Sequence, residues 1–346
     1  MVNLDTWRGR RVLITGHTGF KGAWLATLLV EAGAEVHGVA LPPAQPTNAF
    51  TLLGLQERMH STIADIRDAH AVRAVVGRGD PEFVFHLAAQ SLVRDGYRHP
   101  VETFETNVLG TVHVLEALRR TSTRGIVVVT SDKCYRNQER REGYREDEPL
   151  GGDDPYSSSK AAAELVTHAY RMSFSDLPPT ATARAGNVIG GGDWSRDRLV
   201  PDIVEAARAG RPPALRYPDS VRPWQHVLES LCGYLALAER LAENPSAAGA
   251  WNFGPPDEGA TVAELTESLL RALGRPPAWE RVEGVSEHEA ALLHVESTKA
   301  RTHLGWSSKL NVKETIDWTA QWYRAWSAGL DMRATTLRQI EDYLKR

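Results

Sequence analysis

Tyr156 and Lys160 stand four residues apart in Pro155-Tyr156-Ser157-Ser158-Ser159-Lys160, a segment that reads as the opening of a helix running to about Met172. On a helix that spacing puts both side chains on one face. A tyrosine phenol with a pKa of about 10 is a poor base at neutral pH. Lowering it by about three units takes roughly 4 kcal/mol, the scale of one unit charge about 4 Å away in an effective dielectric near 20. The Lys160 ammonium, joined by a second cation, would supply that shift and make the pair a proton-abstracting unit. An exposed Tyr and Lys on an ordinary helix is the plain alternative, and for the motif in isolation it wins. The surroundings decide.

Near the start of the chain, Val12-Leu13-Ile14-Thr15 reads as a short buried strand and the stretch from Ala23 to Val30 as a helix. Between them Gly16, Gly19 and Gly22 follow the spacing G-x-x-G-x-x-G. Glycine permits a tight turn and a close approach of backbone to a ligand. The free N–H groups and dipole at a helix start form an anion site suited to a pyrophosphate. Tight turns also use glycine, so the spacing alone is weak; its place between a strand and a helix makes it a dinucleotide-binding opening. Gly16, Thr18, Gly19, Phe20, Lys21 and Gly22 are its cofactor-binding residues. The nicotinamide cation of such a cofactor is the second charge Tyr156 needs, which brings Tyr156 and Lys160 against it.

A second strand, Glu35 to Ala40, ends in Leu41-Pro42-Pro43, with no acidic residue for the adenosine ribose and no arginine for a 2′-phosphate. NAD is therefore favoured over NADP by default. Asp65, followed by Ile66, is placed to meet an adenine amino group or, equally well, to cap the next helix. The buried run from Phe83 ends in Leu87, Ala88 and Ala89, small residues suited to close approach of a cofactor. His86 inside that run reads more naturally as a satisfied core histidine than as a catalytic one.

These elements belong to a longer alternation. A helix over 101–120 carries Phe104, Val108, Val112, Leu115 and Leu118 on an apolar stripe, and Ile126 to Thr130 forms a strand leading into Ser131-Asp132-Lys133-Cys134-Tyr135. A polar loop covers 137–154, and another strand runs from Thr180 to Ala185. The pattern predicts an α/β fold, a doubly wound, Rossmann-type parallel sheet with a smaller, mixed C-terminal substrate-binding domain. The first domain spans 1–185, joined by about 218–250; residues 186–346 are mainly the second, interleaved with the first. Segments 227–242 and 312–327 are helical but too mixed in pattern to be placed by periodicity.

Together the Gly16 loop, Thr130-Ser131-Asp132 and Tyr156-x-x-x-Lys160 resemble the extended short-chain dehydrogenase/reductase superfamily, nucleotide-sugar branch, over nearly the whole chain. Within it, Gly16-His17-Thr18-Gly19-Phe20-Lys21-Gly22, Thr130-Ser131-Asp132-Lys133-Cys134-Tyr135, Gly186-Asn187-Val188-Ile189-Gly190-Gly191-Gly192-Asp193-Trp194 and Arg222-Pro223-Trp224-Gln225-His226-Val227 are similar to the CDP-glucose 4,6-dehydratase family. So are His288-Glu289-Ala290, Lys299-Ala300 and Leu304-Gly305-Trp306. Related dTDP-glucose enzymes carry Asp-Glu where this chain has Asp132-Lys133, which favours the CDP branch. The resemblance implies NAD, a nucleotide-sugar substrate (CDP-glucose) and a homodimer built on the 101–120 helix and the Tyr156 helix.

The resemblance also implies roles. Tyr156 takes the proton of the sugar's 4-hydroxyl as hydride leaves carbon 4, the new ketone acidifies the proton at carbon 5, and water is lost across carbons 5 and 6 before hydride returns to carbon 6. Asp132 gives a proton to the departing hydroxyl, which burial would favour by raising its pKa; a capping aspartate is its plainer reading. Lys133 is the base at carbon 5 if neutral, or else positions substrate or stabilises the enolate. Ser131 bonds the 4-oxygen. Gln90, Asn187, Arg198 and Arg222 bind substrate, with arginine suited to bidentate contact with phosphate. The same superfamily includes other nucleotide-sugar 4,6-dehydratases, 4-epimerases and decarboxylases that share Tyr156, Lys160 and NAD; Asp132 discriminates, because epimerisation needs no acid for a leaving hydroxyl.

Composition narrows the classes. Forty basic residues against 44 acidic ones leave no electrostatic case for nucleic acid or an anionic membrane. No run approaches the length of a membrane span, and no charged-then-apolar leader opens the chain. Cys134 and Cys232 are too few for a disulfide framework and not spaced for zinc. A cytoplasmic enzyme without a metal is the expectation.

Overall fold

Strands buried on both faces need near-continuous apolar runs, and the chain has them where the centre of a parallel sheet must be. The computed structural model describes residues 3–256, 259–284, 290 and 292–346. Its core is a seven-stranded, wholly parallel sheet of β1 (Arg11–Thr15), β2 (Glu35–Ala40), β3 (His60–Ile63), β4 (Phe83–His86), β5 (Gly125–Val129), β6 (Thr180–Arg184) and β7 (Gly249–Asn252). The spatial order is β7-β6-β5-β4-β1-β2-β3, with β1 paired to β2 on one side and to β4 on the other. Strand order reverses at β1 and β4, so a crevice opens past their carboxyl ends, where ligands of doubly wound sheets bind.

β3 was not anticipated from the sequence because it is an edge strand of polar composition, His60-Ser61-Thr62-Ile63, with no buried residue. The helix expected over 101–120 is broken. A short helix (Pro100–Phe104) passes through one wide π turn (Glu105–Leu109) into a helix at Gly110–Leu118. That turn shifts the phase of the pattern. Leu115 and Leu118 are buried against the sheet together with Val114, whereas Phe104 faces outward along with Val101 and Leu109. The expected single stripe is thus split between two faces.

Of the two helices that periodicity left unplaced, the first is buried nearly all round and the second on one face. One, at Val227–Glu243, packs against the long N-terminal helix α1 (Phe20–Glu31) and against β5 and β6. Its Glu229, fully buried, accepts from the backbone N–H groups of Lys309 (2.9 Å) and Leu310 (2.7 Å) and from the Tyr343 hydroxyl (2.6 Å). Another, at Val312–Ser327, sends Trp322 over Gly191, where a Cβ would lie 1.9 Å from the indole. The glycines of Gly190-Gly191-Gly192 therefore make room for packing rather than for a ligand. Beyond β6 three two-stranded ladders, at Val188–Ile189 with Gln225–His226, Ala214–Leu215 with Glu280–Arg281, and Val221–Arg222 with Ala260–Thr261, build the smaller region. Among the described residues no helix is long and apolar enough to cross a membrane.

Under the carboxyl ends of β5 and β6 lies a buried ion pair. Glu164, on the helix Pro155–Ser173, meets Arg184 of β6 at 2.8 Å, both side chains about 3% exposed. The carboxylate also accepts from Thr130 and from Thr182 (2.7 Å), and Arg184 donates to the Tyr135 hydroxyl (2.7 Å) and the Glu146 carbonyl (3.0 Å). Removing one partner strands a charge; removing both does not. Arg184→Met should lose about 3 to 5 kcal/mol in urea denaturation, and Glu164→Leu combined with Arg184→Met should recover most of it. Equal losses in the single and double variants would show that the pair is not what the region rests on.

Candidate active site

Two of the three loop glycines are needed by the protein itself. Gly16 has φ +80°, and a Cβ there would lie 2.7 Å from the Ala88 backbone nitrogen; a Cβ on Gly22 would lie 2.1 Å from the Gly16 carbonyl oxygen. Helix α1 therefore starts directly against the turn that ends β1. Gly19 is different, since only the Gly16 carbonyl, at 3.4 Å, comes near its Cβ direction. Its backbone is the part open to a ligand, beside the first-turn N–H groups of α1, which have no acceptor within the helix. This donor set fits a dinucleotide pyrophosphate. Thr18 donates its hydroxyl to the Leu41 carbonyl at 2.9 Å, tying the loop to the end of β2.

One cavity of about 540 Å³ runs from this loop across the sheet's carboxyl ends into the smaller region. All the proposed cofactor residues line it: Gly16, Thr18 to Gly22, Asp65, Ile66, Leu87 to Ala89, Tyr156 and Lys160. Asp65 does not cap the following helix; Asp68 does, through the N–H groups of His70 and Ala71. Burial pushes the Asp65 carboxyl up, but hydrogen bonds from the Arg67 side chain and backbone outweigh it and leave the group below its ordinary range. His86 is enclosed below the cavity, bonded through its two ring nitrogens to Thr15 (2.7 Å) and Thr111 (3.1 Å), and burial lowers its pKa to about 3.

The candidate reaction centre gathers at the ends of β5 and β6. Asp132 opens a single 3-10 turn (Asp132–Cys134) and is buried. One carboxylate oxygen accepts from the Ser131 hydroxyl (2.9 Å) and the Lys133 N–H (2.9 Å), the other from the Asn187 side-chain amide (3.2 Å). A Cβ on Gly186 would fall 1.9 Å from that carboxylate, so glycine there leaves the room Asp132 occupies. Asn187 reaches it from a left-handed backbone, φ +52°, a conformation asparagine tolerates well. Ser131 also lies near enough to the Tyr156 phenol to pull its pKa down.

The phenol is not lowered by the protein groups, contrary to the sequence argument. Burial pushes Tyr156 up to about 12 against the pull of Ser131 and Arg198. Lys160 is buried too, its amine pushed down to about 8 by burial against Glu164 and Cys134, and it donates to the Val129 carbonyl at 3.2 Å. A bound nicotinamide ring would bring the positive charge that the protein groups do not supply to the phenol. Lys21, half-buried at the head of α1, joins the centre; burial, with Arg198 and Lys160, pushes its amine down to about 7 while Asp132 and Asp193 oppose. Lys133 lines the same cavity.

Of the proposed substrate residues, Asn187, Arg198 and Arg222 line the cavity and Gln90 does not. Gln90 is used up locally: its amide donates to the Leu92 carbonyl (3.0 Å) and the Thr103 hydroxyl (2.9 Å), and its backbone N–H donates to Asn107. Arg198 bridges Asp193 (3.3 Å) and Ser91 (3.0 Å). Arg222 is buried, donating to the Val221 and Ala290 carbonyls. His288 and Glu289 lie outside the described residues. The sequence reading missed Arg94, Asp197 and Asp202 on the cavity wall; Arg216 meets Asp197 there at 3.3 Å.

Comparison with known proteins places this geometry. Residues 13–249 match the family described as GDP-mannose 4,6 dehydratase. The chain is 44% identical to a CDP-glucose 4,6-dehydratase of Salmonella typhimurium, covering 99% of both, and 31% identical to a dTDP-glucose 4,6-dehydratase of Streptomyces griseus, covering 91% of this chain and 95% of that one. It superposes with a TM-score of 0.80 on the dTDP-glucose 4,6-dehydratase DesIV of Streptomyces venezuelae solved with NAD and TYD bound, at 25% identity over 92% of this chain and 98% of that one. A UDP-glucose 4-epimerase of Stenotrophomonas maltophila gives 0.82 at 22% identity over 92% and 99%, a likeness of fold. The chain belongs to the nucleotide-sugar 4,6-dehydratase family, within the extended short-chain dehydrogenases/reductases.

Proposed function

We propose that this chain is an NAD-dependent 4,6-dehydratase that converts CDP-glucose to CDP-4-keto-6-deoxyglucose. The observation that carries the reading is Asp132: a buried carboxylate, hydrogen-bonded on both oxygens, in the cavity that also holds Tyr156 and Lys160. A 4-epimerase has no use for an acid there. The 44% identity to a CDP-glucose enzyme supports the donor. The Gly16 loop would hold NAD, which would supply a hydride acceptor for carbon 4 and a hydride donor for carbon 6.

Tyr156 accepts the proton of the sugar 4-hydroxyl, with Ser131 holding the oxygen and Lys160 beside the phenolate. The ketone then acidifies carbon 5, and Lys133, on the same turn as Asp132, serves that carbon as a neutral base or as a cation beside the enolate. Asp132 protonates the departing 6-hydroxyl. Asn187, Arg198 and Arg222 hold the nucleotide diphosphate. Because hydride returns to the product, the cofactor is regenerated at each turnover. Purified protein given CDP-glucose and no added cofactor should yield a product lighter by one water. Stoichiometric consumption of NAD would contradict the cycle.

Asp132→Asn separates dehydration from oxidation. The amide keeps the shape and loses the acidic proton, and general acid catalysis is worth about a hundred- to ten-thousandfold in rate. Oxidation rests on Tyr156 and Lys160, so the variant should show substrate-dependent absorbance of reduced dinucleotide while losing most dehydration. Tyr156→Phe should show neither signal. Dehydration at near wild-type rate in Asp132→Asn would remove this residue from the acid role.

The working form is a cytoplasmic homodimer. Val101, Phe104 and Leu109 on one helical stretch, and Leu165 and Met172 on the neighbouring Pro155–Ser173 helix, are large apolar residues left exposed on adjoining elements. Such a patch on a two-fold axis is self-complementary. Light scattering at micromolar concentration should give twice the chain mass, and Leu109→Glu with Leu165→Glu should halve it; a wild-type monomer would refute the dimer.

A further inference from the structure

The smaller region contributes one carboxyl to the cavity that the chemistry above leaves idle. Asp202 lies in the first turn of the helix Leu199–Arg208 and is half-buried on the cavity wall, near Arg216 and Asp197. The other carboxylates on this side of the cavity are engaged. Asp193 accepts from Arg198 (3.3 Å) and from the Ser195 N–H (3.0 Å), and Asp197 accepts from Arg94 (3.1 Å), Arg98 (3.4 Å) and Arg216 (3.3 Å). Asp202 has no hydrogen-bond or ion-pair partner for its carboxyl among the described residues. Its carboxyl is therefore available to a ligand in the cavity.

Its surroundings suit a flat ring. Leu199, Pro201 and Ile203 from the helix, and Pro213, Ala214 and Leu215 from the following segment, are apolar residues of the cavity lining, beside the polar Asp197, Asp202 and Arg216. Aromatic ligands are held in such slots by area, while the few polar groups at the rim choose among them. A carboxylate is an acceptor only. Cytosine carries an exocyclic amino donor at carbon 4, where uracil and thymine carry a carbonyl oxygen; guanine presents a larger ring system. Burial pushes the Asp202 carboxyl up to about 6, which leaves it mainly the carboxylate at neutral pH.

We propose that Asp202 is the specificity-determining residue for the nucleobase, accepting the 4-amino hydrogen bond of cytosine and repelling the 4-carbonyl of uracil or thymine. The inference rests on the reading of the substrate as a cytidine diphosphate sugar and assigns to one side chain what that reading leaves open. Asp202 touches the base and takes no part in the steps at carbons 4 to 6. The helix start and the nearby Arg216 charge both favour a negative charge at this position.

The test compares bases on the full-length enzyme. Binding of CDP and UDP is measured by calorimetry, and kcat/KM for CDP-glucose and UDP-glucose by product formation, in wild type, Asp202→Asn and Asp202→Ala. The carboxamide can turn its oxygen toward a 4-amino group or its nitrogen toward a 4-carbonyl, so Asp202→Asn should keep binding CDP while gaining on UDP. The CDP-to-UDP ratio should fall roughly tenfold to a hundredfold in both measurements, the size of one well-made base contact. Asp202→Ala should lose CDP affinity without a matching loss for UDP. A wild-type enzyme that prefers cytidine, with variants that keep the wild-type ratio, overturns this assignment and spares the proposed function. A wild-type enzyme that prefers uridine or thymidine donors overturns both.

Discussion

Helix α1 can begin where it does only because two residues lack side chains. The Gly16 carbonyl and the Ala88 backbone fill the space that Cβ atoms on Gly22 and Gly16 would need, so the helix start sits in van der Waals contact with the turn after β1. That contact fixes where the cavity floor lies. It also fixes α1 against the rest of the chain, since Trp24, fully buried, donates to the Gly191 carbonyl at 2.8 Å. Gly191 in turn yields its Cβ space to Trp322. The N-terminal loop, the turn after β6 and a C-terminal helix are therefore held by one run of close contacts, each of which depends on a missing side chain.

On that frame the charges are set unusually close. Lys21, Lys160 and Arg198 share the cavity with Asp132 and Asp193, and Glu164 lies one helical turn beyond Lys160. Burial opposes the charges of Lys21 and Lys160, and nearby carboxylates partly offset it. The result is a site in which the amines of Lys21 and Lys160 are drawn toward neutral pH, where each can exist in both states. A reaction that removes a proton from oxygen, then one from carbon, and finally donates one to a leaving hydroxyl needs such groups. An exposed pair of the same residues would stay charged and do none of it.

Much of this was legible in the sequence, for identifiable reasons. Central strands announce themselves because both faces are buried, and the extents read for Glu35 to Ala40 and for 312–327 coincide with the observed elements. The polar edge strand His60–Ile63 gave no such signal. The π turn at Glu105–Leu109 escaped because a phase shift looks like continued amphipathicity in a single sequence. The helix Val227–Glu243 could not be placed because it is apolar on nearly every side, and its buried Glu229 reads as a surface residue until Tyr343 and the 309–310 backbone are seen to meet it. The candidate catalytic, cofactor and substrate residues line one cavity, apart from Gln90, whose side chain closes its own turn. The ion pairs of Asp197 with Arg94 and Arg216 were invisible, being contacts between distant segments with no periodic trace.

The division of labour along the sheet explains how one fold carries more than one chemistry. On the mechanism proposed above, hydride transfer uses the crevice at β1 and β4 together with Tyr156 and Lys160. On the same proposal elimination uses Asp132 as an acid held clear of solvent, and that requirement falls on two short turns, the one after β5 that bears Asp132 and the one after β6 that bears Gly186 and Asn187. Neither turn alone would suffice. Asp132 needs the void left by Gly186, and its outer oxygen needs an amide from a backbone bent to φ +52° at Asn187. Because the two strands are neighbours in the sheet, paired from Ile126↔Thr180 to Val129↔Ala183, their ends deliver both halves of the acid's pocket to one place. Dehydration thus depends on the register of β5 against β6, a property of the whole sheet rather than of any catalytic residue.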